Sequence, residues 1–482
     1  MYGSRFCWGF LGIAFVRLWI QYYIHSFYFM VDIGELSIAS KLFRGVLILI
    51  LAAVLSRTGL SSKGEALWRW LSFVLMMLSG IFFFLQMQLS SSDMLFGTLG
   101  AFFGAVGVIW GGGMWMQLYV RMRPAEAFLY IVGSLGLGSL LGFVFGFLPD
   151  VVAAAALLFV PVLIFLAESQ ARRALEARGE DDVQIALCDK AYDTEPKSTF
   201  VYLMAGMSLF VFTLGTAQGF PSGGTVFSGA LQAVHQLSVV ALTAGVIAWV
   251  LVAGRGISFR VVWSVEAMLA IGSLACYLAG SSVPTTYGAT LAVIPITLWL
   301  GIAFLVARDI SCHISVPAYV VLGVLYGTYT VMFNLGRLAS LFFGGFFEQS
   351  VIALGGMVFL LGVSIVLVLL NPLPRTRPLF ADLSSVRTAA RDGLRNESLE
   401  GASLGLAGEA ADALHEMAER HGLTERELQI AFYLARGRSR RYISEALYLS
   451  ENTVRNHMRN IYHKLNVHTK QEFIDLLERG RL

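Results

Sequence analysis

Up to residue 371 the chain is a succession of runs of about 20 mostly apolar residues, the length an α-helix needs to cross a hydrocarbon layer. Lipid offers a bare backbone no hydrogen bonds, so such runs fold as helices, whose amide and carbonyl groups are satisfied internally. We read spans near residues 6–30, 35–56, 66–89, 94–120, 125–148, 151–168, 200–220, 227–253, 259–280, 287–307, 314–336 and 350–371. Composition agrees: 56% hydrophobic and 14% charged residues, with a mean hydropathy of +0.69, fall outside the range of soluble domains. Ser37 and Ala39 mimic a signal-peptide cleavage pattern, but the run before them is too long and contains Arg17, so it reads as the first span. A polar, charge-rich stretch follows Pro372. The expected fold is all-α: a polytopic twelve-helix membrane bundle over 1–371, a cytoplasmic linker over 372–420 and a small four-helix domain over 421–482.

The net charge of +3 matters less than where the basic residues fall. With both termini on one side, that side carries Arg5, Arg57, Lys63, Arg69, Arg121, Arg123, Arg172, Arg173, Arg178, Lys190, Lys197, Arg255, Arg260 and Arg308. The other side carries Lys41, Arg44 and Arg337. The positive-inside rule then places the N- and C-termini in the cytoplasm of a multi-pass protein of the bacterial cell membrane, in contact with lipid. The longest internal polar stretch, residues 169–198, divides the spans six and six. Two six-helix halves joined by a charged loop resemble the major facilitator superfamily, whose pseudo-symmetric halves surround a central cavity. The loop between spans two and three, Ser56 to Gly64, keeps that family's glycines and basic residues and lacks its acidic one.

Ionisable and amide side chains at membrane depth are costly and mark candidate sites. Arg17, Gln21 and His25 stack at four-residue intervals on the first span, and Gln232, His235 and Gln236 share a face of the eighth. Gln218 stands near the outer end of the seventh. In the deduced orientation these groups converge on an outward-opening pocket for a small molecule, aromatic or anionic because Arg17 lies among Trp19, Tyr22 and Tyr23. The competing reading is interhelical polar contacts that only hold the bundle together, and it is favoured for Gln86, Gln88 and Asn334. Gly97, Gly100, Gly104, Gly107 and Gly111, with Gly138, Gly142 and Gly146, mark faces where helices pack closely. Cys7, Cys188, Cys276 and Cys312 have no ligand spacing, so neither a disulfide framework nor a metal site is expected.

After residue 371 a proline-rich stretch carrying Arg375 and Arg377 leads out of the bilayer. Residues 381–408 read as linker and 409–420 as a soluble helix. Thr424 and Glu427 then form an S/T-x-x-E capping box ahead of a first helix with Leu428, Ala431 and Leu434 on one face. Ser439 caps a second helix, residues 451–465 form a third with Val454, Ile461 and Leu465 inward, and Thr469 with Glu472 opens a fourth. This module resembles the LuxR-type helix-turn-helix family, matching it at Leu423, Thr424, Arg426, Glu427, Leu434, Ala435, Gly437, Ser439, Ile443, Leu447, Ser450, Thr453, Val454, His457, Ile461, Lys464, Leu465, Val467 and Glu472. Tyr442, Ser444, Gln429 and Lys470 depart from it.

A motif of this kind lays its third helix in the major groove. Arg455, Asn456 and Arg459 are the candidate base readers, since Arg pairs bidentately with guanine and Asn with adenine. Arg438, Arg440, Arg441, Ser450, Thr453, His457 and Lys464 are placed for phosphates, which set register without reading sequence. The resemblance further implies a homodimer on double-stranded DNA, joined through the fourth helix. No nucleophile-base pair or phosphate loop is found, so no enzyme activity and no cofactor are expected. The leading expectation is a membrane-embedded one-component transcriptional regulator that senses a small-molecule ligand. The alternatives are a solute transporter with an appended regulatory head, and a scaffold whose head binds protein.

Overall fold

The computed structural model describes residues 7–21, 34–89, 95–122, 124–176, 191–219, 229–252, 256–278, 285–368, 378–384, 414, 416–417, 420–435, 439–446 and 451–479. It divides into two compact units, one ending at Thr388 and one from Ala389 to Leu482. Among the described residues every regular element is helical.

In the first unit, ten helices are long and apolar enough to cross a membrane, and two shorter apolar helices, Trp8–Trp19 and Ser350–Val366, fall where the first and twelfth spans are expected. Their outward faces carry large apolar side chains such as Val201, Val261, Met268 and Leu354, a surface suited to lipid and not to water. This unit is a multi-pass membrane bundle. Span 4 is broken into Leu95–Gly107 and Ile109–Val120, and span 6 into Asp150–Leu157 and Val160–Glu176.

Helix neighbours reveal the internal symmetry. Span 1 packs on spans 5 and 6, and span 3 on spans 4 and 6; the same pairs recur six spans later, as 7 on 11 and 12, and 9 on 10 and 12. Across the seam, span 2 (Gly34–Thr58) packs on span 11 (Ala318–Phe343), and its counterpart is span 8 on span 5. An arrangement that maps onto itself when six is added to each span is what two six-helix halves around a pseudo-two-fold axis produce. The bundle is major-facilitator-like by its own packing.

Glycines set the closest crossings. A Cβ on Gly336 would run into the Phe212 carbonyl, and one on Gly215 into that of Phe333, so spans 7 and 11 touch backbone to backbone. At the end of the bundle bearing Arg57 and Lys63, Arg172 pairs with Glu65 at 2.6 Å and Glu168 at 2.8 Å, while Arg69 reaches Glu168 at 3.4 Å. The Arg172–Glu65 and Arg69–Glu168 pairs join spans 3 and 6 within one half. Arg308 of span 10 crosses the seam instead, donating to the carbonyls of Met122 at 2.7 Å and Tyr119 at 3.4 Å.

Two stretches expected to be loop or linker are packed against the bundle. Tyr192 is buried and donates to Asp309 at 2.9 Å, and Asp193 accepts from the Ser315 hydroxyl at 2.6 Å, so the end of the 169–198 segment is fastened to span 10 and to the turn that follows it. Leu379, Phe380 and Leu383 are also buried, which carries the membrane unit past residue 371. The reason is burial: three apolar side chains leave water there.

The second unit has its own core of Leu414, Ile430, Ala431, Leu434, Ile443, Val454, Ile461, Leu465, Val467, Phe473 and Leu477. Leu414 extends it upstream into the segment expected to be linker helix.

Candidate nucleic-acid interface and buried cavity

The head is built from Glu425–Ala435, Arg440–Ala446, Glu451–Leu465 and Lys470–Arg479. The starts of the first, second and fourth are capped as their sequence dictates. Thr424 N–H donates to Glu427 at 2.8 Å and Glu427 N–H to Thr424 Oγ1 at 3.3 Å; Tyr442 N–H donates to Ser439 Oγ at 3.2 Å, and Glu472 N–H to Thr469 Oγ1 at 3.1 Å. The third helix ends at Asn466, whose φ of 52° lets Val467 N–H return to the Tyr462 carbonyl at 2.9 Å, a Schellman closure.

The third helix turns Val454, Ile461 and Leu465 to the core and leaves Arg455, Asn456 and Arg459 facing outward. Asn460 is exposed beside them, one turn beyond Asn456. The sequence reading passed it over, though the same four-residue interval could have found it. Arg440 from the second helix lines one open concavity with Arg455, Arg459, Tyr462 and His463. His457 is half-buried, unlike the exposed Arg440, Arg455, Asn456 and Arg459. Arg438 and Ser450 lie outside the described residues, as do the side chains of Arg441 and Thr453.

Lys464 is placed differently from a free phosphate contact. Its ammonium donates to Glu427 at 2.6 Å and to the Gly422 carbonyl at 2.9 Å, tying the third helix to the start of the first. Burial pushes the Glu427 carboxyl up, but hydrogen bonds from Lys464 and Thr424 outweigh that and hold it below the usual carboxylate range.

In the bundle, the structure brings together four of the seven expected pocket residues. Arg17 is buried and donates to the Leu135 carbonyl at 2.6 Å; no carboxylate pairs with it among the described residues. His235 lies within its electrostatic reach. A Cβ on Gly142 would stand 2.9 Å from Gln236 Nε2 and 3.2 Å from Gln21 Oε1, so both glutamines converge on a bare stretch of span 5. Gln21 Oε1, His235 Nδ1 and both amide atoms of Gln236 are buried without hydrogen-bond partners. Gln218 on span 7 is half-buried. His25 and the Gln232 side chain lie outside the described residues.

A cavity opens beside Arg17. It measures about 80 Å³ and is shared by spans 1, 2, 3, 4, 10 and 11, with Trp68, Trp110, Phe304, Tyr319 and Tyr326 among its walls. Arg17 is the one member of the expected set that lines it. Walls drawn from six spans leave no periodic trace in any one of them, which is why the aromatic residues were missed. The two glycines after Gly111, Gly112 and Gly113, also border it and keep that wall thin.

A capped four-helix core with an exposed Arg-Asn-Arg face defines a DNA-binding head, and the same chain carries a membrane bundle. Residues 421–477 match the family described as "Bacterial regulatory proteins, luxR family". The C-terminal domain is a LuxR-type helix-turn-helix. A stretch of 61 residues is 43% identical to the transcriptional regulatory protein DegU of Brevibacillus brevis, and 56 residues are 41% identical to a nitrate/nitrite response regulator protein homolog of Haemophilus influenzae. Each match covers 12% of this chain, and the chain spans only 26% and 27% of those relatives' lengths. A solved structure of a bacterial homologue of the human drug peptide transporters PepT1 and PepT2 aligns over 80% of this chain and 98% of its own, at 12% identity and a TM-score of 0.41.

Proposed function

We propose that the protein is a one-component transcriptional regulator of the cytoplasmic membrane, in which the bundle binds a small molecule and that binding biases a LuxR-type head on DNA. The observation that carries this reading is one chain holding both an exposed Arg455, Asn456 and Arg459 face and, in its membrane unit, a buried Arg17 beside unpartnered polar atoms and a cavity. A buried cation without a counter-charge is costly, and a ligand carboxylate or other anionic group would supply one. The aromatic walls suit an apolar body. Loop charge supports termini on the cytoplasmic side, where DNA is. Two heads joined through the fourth helix would read paired half-sites, and tethering both in one membrane raises their effective concentration. The chain acts, in this reading, by binding alone and not as an enzyme.

The test is binding of the purified full-length protein, in detergent, to DNA from upstream of its own gene. Affinity should fall steeply with salt and shift with the right compound. Binding that ignores salt and sequence would remove the reading.

A second reading, solute transport with a regulatory head, is favoured by the pseudo-two-fold packing of the two halves. Uptake into proteoliposomes that Arg17→Ala abolishes would establish it. Ligand binding without uptake would leave the receptor.

A further inference from the structure

Polar atoms without hydrogen-bond partners gather where spans 1, 5 and 8 meet. Arg17 and Gln21 stand one turn apart on span 1, and span 5 offers them glycine at both levels. A Cβ on Gly138 would stand 3.3 Å from Arg17 Cδ, and one on Gly142 would lie 2.9 Å from Gln236 Nε2 and 3.2 Å from Gln21 Oε1. Gln236 and His235 come from span 8, and both are more than nine-tenths buried. Ser139, three residues before Gly142 on span 5, is fully buried. Its hydroxyl, Gln21 Oε1, His235 Nδ1 and both amide atoms of Gln236 lack partners. Buried polar atoms are nearly always paired, so a group of five orphans in one place calls for something that pairs them.

Charge narrows what that is. Arg17 brings one fixed positive charge, no carboxylate pairs with it among the described residues, and its bond to the Leu135 carbonyl leaves the rest of the guanidinium fork for a ligand. One negative charge on the ligand balances it. A second negative charge, or an ammonium beside the first, would leave charge over where water does not screen it.

The orphans narrow it further. Gln21 Oε1 and Gln236 Oε1 accept and Gln236 Nε2 donates, and a hydroxyl is the smallest uncharged group that does both in return. Because Gln21 is one turn from Arg17, that hydroxyl stands within a few bonds of the anion. Arg17 also borders the cavity, whose volume of about 80 Å³ and aromatic walls limit the rest of the ligand to a small apolar body.

Taking Arg17 as a ligand contact, as the regulator proposed above requires, we propose that the ligand is a small hydroxy acid. Its single carboxylate pairs with Arg17, its hydroxyl is read by Gln21 and Gln236, and its apolar body fills the cavity.

The experiment follows thermal unfolding of the full-length protein in neutral detergent against four probes that share one benzyl body. Phenyllactate carries both groups, phenylpropionate lacks the hydroxyl, phenylpropanediol lacks the carboxylate, and phenylalanine has an ammonium where the hydroxyl would be. Phenyllactate should raise the melting temperature saturably by roughly 2–4 °C. It should half-saturate at about 5–10-fold lower concentration than phenylpropionate, the worth of one hydrogen bond. The diol and phenylalanine should give no saturable rise over the same range. Gln236→Leu removes two unpartnered atoms, so it should melt no lower than the parent without ligand and bind the two acids alike. Arg17→Gln should respond to none of the four. Equal half-saturation by the two acids in the parent, the result that ordered water among the orphans would give, overturns the proposal. So does a hydroxyl preference that Gln236→Leu retains, a diol that matches phenyllactate, or a parent that responds to no probe. The regulator itself is excluded only by DNA binding that no compound alters; a neutral compound that alters it keeps the regulator and overturns the hydroxy acid.

Discussion

A buried carboxylate stays ionised only with partners, and Glu427 has Lys464 and the amide of Thr424. Its folded value lies below the ordinary range, because those hydrogen bonds outweigh the upward push of burial. Their stabilisation is therefore complete above the unfolded value of about 4.3 and is lost as pH falls through the lower folded one. Glu427→Gln should flatten the acid limb of the head's stability profile, read by urea unfolding of the fragment from residue 409 between about pH 3 and 6. Lys464→Met should cost about 1–3 kcal/mol by leaving Glu427 short of a partner; an unchanged urea midpoint would exclude the clamp. Arg455 and Arg440 differ in kind. Arg455→Ala should cost about 1–3 kcal/mol at one base position, measured over a set of substituted operators, whereas Arg440→Ala should weaken all of them alike and reduce the salt slope by about 1. The outward placing of Arg455, Asn456 and Arg459 was legible from helical period and cap. The Lys464 contact was not, because it joins two helices whose spacing in sequence says nothing of their distance.

At the scale of the helix, hydropathy and capping chemistry located the spans and the four helices of the head, since both are local signals. Glycine stripes were legible as close packing: Gly100 lies on Phe83, Gly104 on Ser79 and Trp19, and Gly138 on Ala14 and Arg17. Gln86 likewise serves the bundle, accepting from Gly97 N–H at 3.0 Å. Which glycines bear most was not legible, because the partner helix decides it. Gly336 and Gly215 meet backbone carbonyls, which cannot rotate away as a side chain can. Gly336→Val should therefore destabilise the bundle by about 1–3 kcal/mol or more, as a lower melting temperature in detergent. Gly245→Val, with open space around its Cβ, should be near neutral and serves as the control. Equal effects of the two substitutions would contradict the crossing of spans 7 and 11.

Across the whole molecule, the six-plus-six division could be read from the charged stretch at 169–198, but the place where the bundle ends could not. Proline and polarity after residue 371 suggested an immediate exit, yet Phe380 turns back. It adopts a φ of 65°, which costs a bulky residue about 1 kcal/mol or more, and is nevertheless buried against Phe259 at 5.9 Å between ring centroids. Ile257 N–H donates to the Leu383 carbonyl at 3.4 Å, and the turn of helix at Ala381–Ser384 packs on span 5. The segment thus touches span 5 of one half and the start of span 9 in the other, and the chain runs on from it toward the head. A change in the angle between the halves would alter that seat directly, which gives the proposed sensing a physical route. Phe380→Gly separates the contributions: it keeps the backbone turn at no strain and removes the ring, a loss of about 1.5–3 kcal/mol of buried apolar surface. Hydrogen exchange at Ile257 should then accelerate, while Glu427 and Lys464 in the head keep their protection. In a promoter assay the same variant should retain DNA binding and lose most of its response to ligand; a full response with the ring removed would show that the signal leaves the bundle by another path.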